Sequence, residues 1–249
     1  MQNNESYLAF SKSSKEVLKT ATLFKNININ ALITGPAGSG KSLLSKQMLN
    51  DCPVLDAKNS NDINYILDRT DSAIIENFDK ITDYSKLDFS NKKIVAISKN
   101  PLQESIIDRF FGITIELTPL SKRKEDIMPI ANKFLENAKE ALISSTDIKL
   151  KEDEFDLSLN CHSLKKSVFI QLIKNDISEG ELLSFISSYL EKRLDGINIY
   201  REHLYLYEKP LIEMGLKKYR SQLKLSDALG LNRNTLRKKI NELEIKETE

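Results

Sequence analysis

The chain has 249 residues, enough for one large domain or two to three small ones with a buried core. Its 40% apolar and 29% charged residues are ordinary for a globular protein, and no apolar run approaches the roughly 20 residues a bilayer crossing needs. A net charge of +1 alone gives no reason to expect nucleic acid. Cys52 and Cys161 are too few and too far apart for a disulfide framework or a zinc site, and read as buried small residues. His162 and His203 lack metal-ligand spacing and read as ordinary surface or core residues. The opening Met1-Gln-Asn-Asn-Glu-Ser lacks the charged-then-apolar pattern of a signal peptide, which predicts a cytoplasmic protein.

In chain order, Ala31-Leu-Ile-Thr34 is a short apolar run ending in a glycine-rich turn, and Ser42 to Leu49 then takes helical spacing. Further β-like runs follow at 53–56, 72–76, 93–98 and 113–117, separated by segments that can be helical. Buried parallel strands read this way, so residues 1–120 are predicted as an α/β layer with a parallel sheet and helices on both faces. After Pro119 the strands stop. Within 124–142 Ile127, Ile130, Ala131, Phe134, Leu135, Ala138 and Leu142 share one helical face, and helical patterns recur in 164–174 and 179–194. Residues 121–195 are therefore predicted as a small helical lid subdomain, closed by the turn Asp195-Gly-Ile-Asn198, with a third, all-α domain at 196–249.

Residues 35–42, Gly35-Pro-Ala-Gly-Ser-Gly-Lys-Ser42, fit the phosphate-loop pattern Gly-x-x-x-x-Gly-Lys-Ser and sit between a strand and a helix, the context the motif requires. The glycines let successive N–H groups of Gly35, Pro36 onward, Ala37, Gly38, Ser39 and Gly40 turn inward, proline excepted, while the helix beginning near Lys41 offers its positive end. Lys41 would reach the β- and γ-phosphates of ATP or ADP, and Ser42 would ligate magnesium.

The C-terminal stretch concentrates positive charge. Lys217, Lys218, Arg220, Lys224, Arg233, Arg237, Lys238 and Lys239 stand against Asp227 alone within 217–240, the electrostatic footprint of phosphate binding. Residues 208–219 are predicted as a helix with Pro210 in its first turn, and 225–229 as a second helix ended by Gly230. Asn232 caps a third in which Leu236, Ile240 and Leu243 face inward. This is a helix-turn-helix pattern for double-stranded DNA. Arg233, Asn234 and Arg237 are placed for base edges, Thr235 and Lys239 for phosphates, with Asn232 and Lys238 on the same side. Tyr205 and Tyr207 read as packing residues.

Three segments carry a family resemblance: Ser13-Ser-Lys-Glu-Val17, the phosphate loop, and Phe110-Phe-Gly-Ile-Thr-Ile-Glu-Leu-Thr-Pro-Leu-Ser-Lys-Arg-Lys-Glu-Asp-Ile127. They resemble the AAA+ domain of NtrC-type enhancer-binding proteins, and the C-terminal stretch resembles the Fis-type DNA-binding domain those proteins usually carry. The resemblance implies a homodimer joined through the Fis-type domain, with higher oligomers open. In that family the second strand motif ends in Asp-Glu; here it is Ala73-Ile-Ile-Glu-Asn77. Glu76 can still support magnesium with Ser42, but Asn77 cannot accept a proton as a carboxylate does, which predicts ATP binding with little or no hydrolysis unless another carboxylate such as Asp79 substitutes. Lys99 or Asn100 falls near the polar sensor, Arg109 matches one of two arginines presented to a neighbouring subunit, with Gln103 nearest the other, and Lys165 lies near the nucleotide-sensing arginine. The Gly-Ala-Phe-Thr-Gly-Ala loop that contacts sigma-54 polymerase is missing from the sequence, so that contact is not expected. The resulting expectation is a nucleotide-binding transcriptional regulator. The alternatives are an active ATPase acting on DNA or a protein, and a replication regulator similar to Hda and DnaA.

Overall fold

Five short apolar runs form one parallel sheet. The computed structural model describes residues 6–58 and 63–246, so the leader reading of 1–5 lies outside the described residues. The strands are β1 (Ala31–Thr34), β2 (Val54–Asp56), β3 (Ser72–Glu76), β4 (Lys93–Ile97) and β5 (Ile113–Glu116), in the spatial order β2-β3-β4-β1-β5. Every neighbouring pair is parallel, with Ala31 of β1 opposite both Val95 and Ile113.

Strand alternation divides the apolar residues between two cores. Leu32, Ala73, Ile75, Ile94 and Ala96 face one side, against α3 (Ile63–Leu67), the aromatic residues Phe78, Phe89, Phe110 and Phe111, and α4 (Glu104–Phe110). Ala31, Ile33, Ile74, Val95, Ile97 and Ile115 face the other, against Ala21 and Phe24 of α1 (Lys12–Phe24) and Leu44 and Met48 of α2 (Lys41–Met48). Burial on both faces explains why these strands read as continuous hydrophobic runs.

A helical layer follows in the same unit. α5 (Lys124–Leu142) and α6 (Cys161–Asp176) close a third core of Leu120, Ala131, Leu150, Leu164 and Val168, with Ile127, Ile130, Phe134 and Leu135 packed on it. Leu142, counted with that face in the sequence, is 45% exposed because the helix ends there and Ile143 turns into the left-handed region at φ 52°.

The chain divides into two units, Met1–Ile177 and Ser178–Glu249, so the division falls ahead of the 195/196 boundary. The physical reason is that α7 (Glu179–Glu191) buries none of its residues, and the contiguous cores of the first unit stop with α6. The second unit holds α7, α8 (Ile199–His203), α9 (Tyr205–Tyr219), α10 (Gln222–Leu229) and α11 (Arg233–Glu242). Its core is Ile212, Leu225, Leu236, Ile240 and Ile245, with Leu216, Leu229 and Leu243 alongside. Gly215 lies so near Leu225 that an added Cβ would meet its Cδ1 at 2.4 Å, which sets the close approach of α9 and α10. α9 begins at Tyr205, earlier than expected, so Pro210 lies inside the helix and not in its first turn. Its missing N–H leaves the Leu206 carbonyl without an intrahelical donor.

The first unit is tied to its amino-terminal segment by a buried carboxylate. Asp126, fully buried, accepts the N–H of Phe10 at 2.7 Å, the N–H of Ser11 at 2.6 Å, and the hydroxyls of Ser11 and Ser14 at 3.0 Å each. Arg123 lies 3.5 Å from its second oxygen. Replacing Asp126 by alanine strands these donors and the buried guanidinium. It is expected to cost about 3–5 kcal/mol of stability in urea unfolding; a loss below about 1 kcal/mol would contradict this account.

Candidate functional site

The phosphate loop bridges β1 and α2, and its shape depends on positions where a side chain cannot go. Gly38 has φ 72°, and an added Cβ would lie 2.4 Å from the Leu159 carbonyl oxygen. At Gly35, φ 135°, the same atom would lie 2.5 Å from the Leu117 oxygen. Gly40 caps α2 in the left-handed region, and Leu44 N–H bonds back to its carbonyl at 2.9 Å.

Each loop carbonyl from Gly35 to Ser39 meets a protein donor. Lys41 Nζ donates to Gly35 O at 2.5 Å and Pro36 O at 2.7 Å. Asn160 Nδ2 donates to Ala37 O at 2.8 Å, the Cys161 N–H to Gly38 O at 3.0 Å, and Arg123 Nη2 to Ser39 O at 3.0 Å. Two buried polar atoms beside the loop, Ser39 Oγ and Arg123 Nε, have no protein partner, which fits a ligand-bearing site.

Along the ends of β3 and β4 lie the polar groups of the second strand motif. Ser42 Oγ donates to Glu76 Oε1 at 2.6 Å, so a hydroxyl and a carboxylate, both hard oxygen donors of the kind magnesium takes, converge. Asn77 does not face this pair. Its backbone is left-handed at φ 55°, and its Nδ2 donates to Asp56 Oδ1 at 2.7 Å. Asp79 accepts the Lys99 N–H at 3.2 Å and Asn100 Nδ2 at 2.6 Å. Burial opposes ionisation of Asp79, yet these hydrogen bonds hold its carboxyl below the usual range. Burial first, then the Lys99 charge, lowers the pKa of Lys41, against the opposing pull of Asp79. Of the two sensor candidates, Asn100 makes the side-chain contact.

Beside the loop is a cavity of about 480 Å³. Its polar wall is Gly38 to Ser42, Arg123, His162 and Lys165; its apolar wall includes Tyr7, Leu8, Ile130 and Phe134, with Lys133 also lining it. Tyr7 reaches across the sequence to hydrogen-bond Arg123 Nη1 at 2.9 Å and Gln47 Oε1 through its own N–H at 3.0 Å. Burial raises both its phenol pKa and that of the Cys161 thiol. Three of these residues escaped sequence reasoning. Arg123 lay inside the family-like stretch without an assigned role, Tyr7 lay in an unremarked leader, and His162 was read as bland. An added Cβ on Gly38 would meet the His162 ring at 2.8 Å, so the imidazole borders the loop directly. Arg109 is not brought to this cavity; it is exposed on α4 with its guanidinium 4.7 Å from the Phe110 ring centroid. Gln103, the N-cap of α4, is likewise exposed.

In the second unit α10 ends at Gly230, φ 64°, whose N–H bonds to Asp227 O at 3.2 Å while the Leu231 N–H bonds to Ser226 O at 2.9 Å. The chain then re-enters a helix at Asn232, whose side chain accepts the Asn234 N–H at 2.8 Å. Leu236 and Ile240 point inward, leaving Arg233, Asn234, Thr235, Arg237 and Lys238 exposed along the other side of α11. Lys239 differs, because its ammonium is held 2.5 Å from Glu208 on α9. Lys238 makes an exposed pair with Glu242 at 3.6 Å.

No family model and no curated protein matches this sequence. Among solved structures, NtrX from Brucella abortus in complex with ATP aligns at 14% identity over 96% of this chain and 69% of its own, with a TM-score of 0.55. Its complex with ADP aligns at 15% identity over 97% and 70%, with a TM-score of 0.56. AMPPCP-bound DnaA from Aquifex aeolicus aligns more loosely, at 16% identity, 95% and 89% coverage and a TM-score of 0.43. The likeness to NtrX is one of fold. Among the described residues no group of three or more histidine, cysteine or acidic side chains could hold a metal ion, and no helix is long and apolar enough to cross a membrane.

The contacts at Gly38 make a direct test of the loop. Gly38→Ala is expected to lower stability by about 1–3 kcal/mol through its left-handed φ alone, with more from the clash at the Leu159 carbonyl. Thermal unfolding checks this, and a variant as stable as the parent would contradict it.

Proposed function

We propose that this chain is a cytoplasmic, sequence-specific DNA-binding transcriptional regulator whose AAA+-like domain binds ATP or ADP and hydrolyses ATP slowly. The observation that carries the DNA reading is the exposed row Arg233, Asn234, Thr235, Arg237 and Lys238 on a helix whose opposite side is a closed core. Guanidinium and amide side chains at the start of a helix suit base edges in the major groove, and the hydroxyl and ammonium groups suit phosphates. The helix, left-handed glycine and capped helix of 222–242 support a helix-turn-helix reading. Resemblance to the Fis-type domain agrees with this reading.

Nucleotide binding is supported by the phosphate-loop sequence between β1 and α2, by Lys41, and by the cavity that Gly38 to Ser42 line. Ser42 and Glu76 would hold magnesium, which neutralises phosphate charge when bound. His162 and Lys165 would sense the phosphates from α6, with Arg109 available to a neighbouring subunit. Slow hydrolysis is supported by Asn77, which offers no carboxylate and is directed to Asp56. The missing Gly-Ala-Phe-Thr-Gly-Ala segment supports action without remodelling of sigma-54 polymerase. A nucleotide that binds two conformations unequally is signal enough.

A homodimer is supported by apolar side chains that the second unit leaves exposed: Leu182, Leu183, Phe185 and Ile186 on α7, and Tyr207 and Met214 on α9. Exposed apolar side chains of this number suit burial against a second copy. Two recognition helices would then lie about 34 Å apart on one DNA face.

Two substitutions test the reading. On fragments recovered by genome-wide mapping of bound sites, Arg237→Ala should weaken binding by about 1–3 kcal/mol, roughly 5- to 150-fold, in fluorescence anisotropy. Unchanged affinity at physiological salt would sink the DNA assignment. Lys41→Ala should weaken ATP and ADP binding by at least about tenfold in calorimetry, since hydrogen bonds to charged groups contribute about 1.5–3 kcal/mol. Equal affinity in parent and variant would remove the lysine from the site.

A further inference from the structure

The segment Tyr7–Ser11 borders the cavity without a helix or strand of its own, and side chains tie it down at both ends. At the first end, Tyr7 donates its N–H to Gln47 Oε1 on α2 at 3.0 Å, and its hydroxyl accepts Arg123 Nη1 at 2.9 Å. The Tyr7 ring lies against the phosphate loop, since an added Cβ on Gly40 would meet Tyr7 Cε2 at 3.1 Å. At the other end, the N–H groups of Phe10 and Ser11 both meet Asp126 Oδ1. Ser6, Tyr7 and Leu8 form part of the same cavity wall as Gly38 to Leu43. A segment held by a few side-chain bonds opens at lower free energy than the sheet behind it. Ser39 and Arg123 give such an opening a dependence on ligand. Both line the cavity beside Tyr7, both are buried, and Ser39 Oγ and Arg123 Nε have no protein partner. Enclosing these groups without acceptors costs free energy, which phosphate oxygens in the cavity would offset. Occupancy therefore favours the docked segment over a lifted one.

We infer that Tyr7–Ser11 is a strap coupled to nucleotide occupancy, docked against the loop while ADP or ATP fills the cavity and free to lift only when the nucleotide leaves. This rests on the reading that the chain binds nucleotide, and it identifies the two conformations that a nucleotide switch needs. Tyr7 is the latch and Asp126 the anchor. The coupling is reciprocal: whatever holds the strap down also favours bound nucleotide.

The test uses the full chain with ADP and magnesium, and follows amide hydrogen exchange at Tyr7, Phe10 and Ser11 alongside the amides of β1. Without ADP the three are expected to exchange at least about tenfold faster than β1, because the strap opens locally. With ADP at about 100 times Kd they should slow by about 100-fold, since opening then requires release of the nucleotide. Gln47 is not part of the cavity lining, so Gln47→Ala loosens the latch without removing a wall of the site. Loss of that one hydrogen bond should speed exchange at Phe10 and Ser11 by about 2- to 10-fold, as expected of a strap that opens in one piece. Exchange at the β1 rate without ADP, exchange unmoved by saturating ADP, or unmoved Phe10 and Ser11 in Gln47→Ala overturns the strap. If calorimetry shows ADP bound in the same samples, the binding reading stays intact. A parent chain that binds neither ADP nor ATP overturns both.

Discussion

The pairing of five successive carbonyls, from Gly35 to Ser39, with protein donors is the constraint on which the first unit depends. Buried carbonyls without donors are costly. The chain meets that requirement with donors from three places: Lys41 within the motif, Arg123 before α5, and Asn160 with Cys161 at the start of α6. The loop shape is therefore a property of the sheet and the helical layer together. Asn160 has a second task, since its Oδ1 accepts the Leu120 N–H at 2.8 Å while its backbone sits at φ 54°. A residue in that sparsely populated region persists only where its surroundings hold it.

Arg123 extends the constraint outward. Its guanidinium touches the loop through Ser39, the leader through Tyr7, and the carboxylate of Asp126, which in turn holds Phe10, Ser11 and Ser14. One fully enclosed ion pair thus fixes three segments distant in sequence. The pair is weak evidence of stability in itself, because two desolvated charges offset much of their own attraction. Its importance lies in what is left unpaired when either member goes.

Features that repeat locally were legible in the sequence, and those made by distant partners were not. The five strands showed as apolar runs because both sheet faces are buried, the loop showed as a fixed spacing, and the faces of α5 and α11 showed as helical periods. Arg123 is flanked by Lys122 and Lys124, both exposed, so nothing local distinguishes the one cation that is buried. Its partner Tyr7 is too far along the chain for any spacing rule. His162 has no companion ligand in sequence, and its place beside Gly38 follows from where α6 begins. Asn77 was readable as an amide where the resembled family carries a carboxylate, but its contact with Asp56 depends on a left-handed backbone that asparagine tolerates better than most residues. Pro210 was placed one turn too early because the helix start at Tyr205 has no side-chain cap to announce it.

The ion pair between Lys239 and Glu208 has a consequence for ionic strength. Each phosphate neutralised on duplex DNA releases counterions and steepens the fall of affinity with salt by about 0.9 in the logarithmic slope. With the Lys239 ammonium held by a carboxylate of α9, and Lys238 only loosely paired with Glu242 in solvent, α11 has fewer cations to exchange for counterions than its sequence suggests. On the proposed DNA face, a larger share of affinity then falls to the directional groups of Arg233, Asn234 and Arg237. Such a surface would lose less affinity as salt rises than a helix with all four basic side chains free.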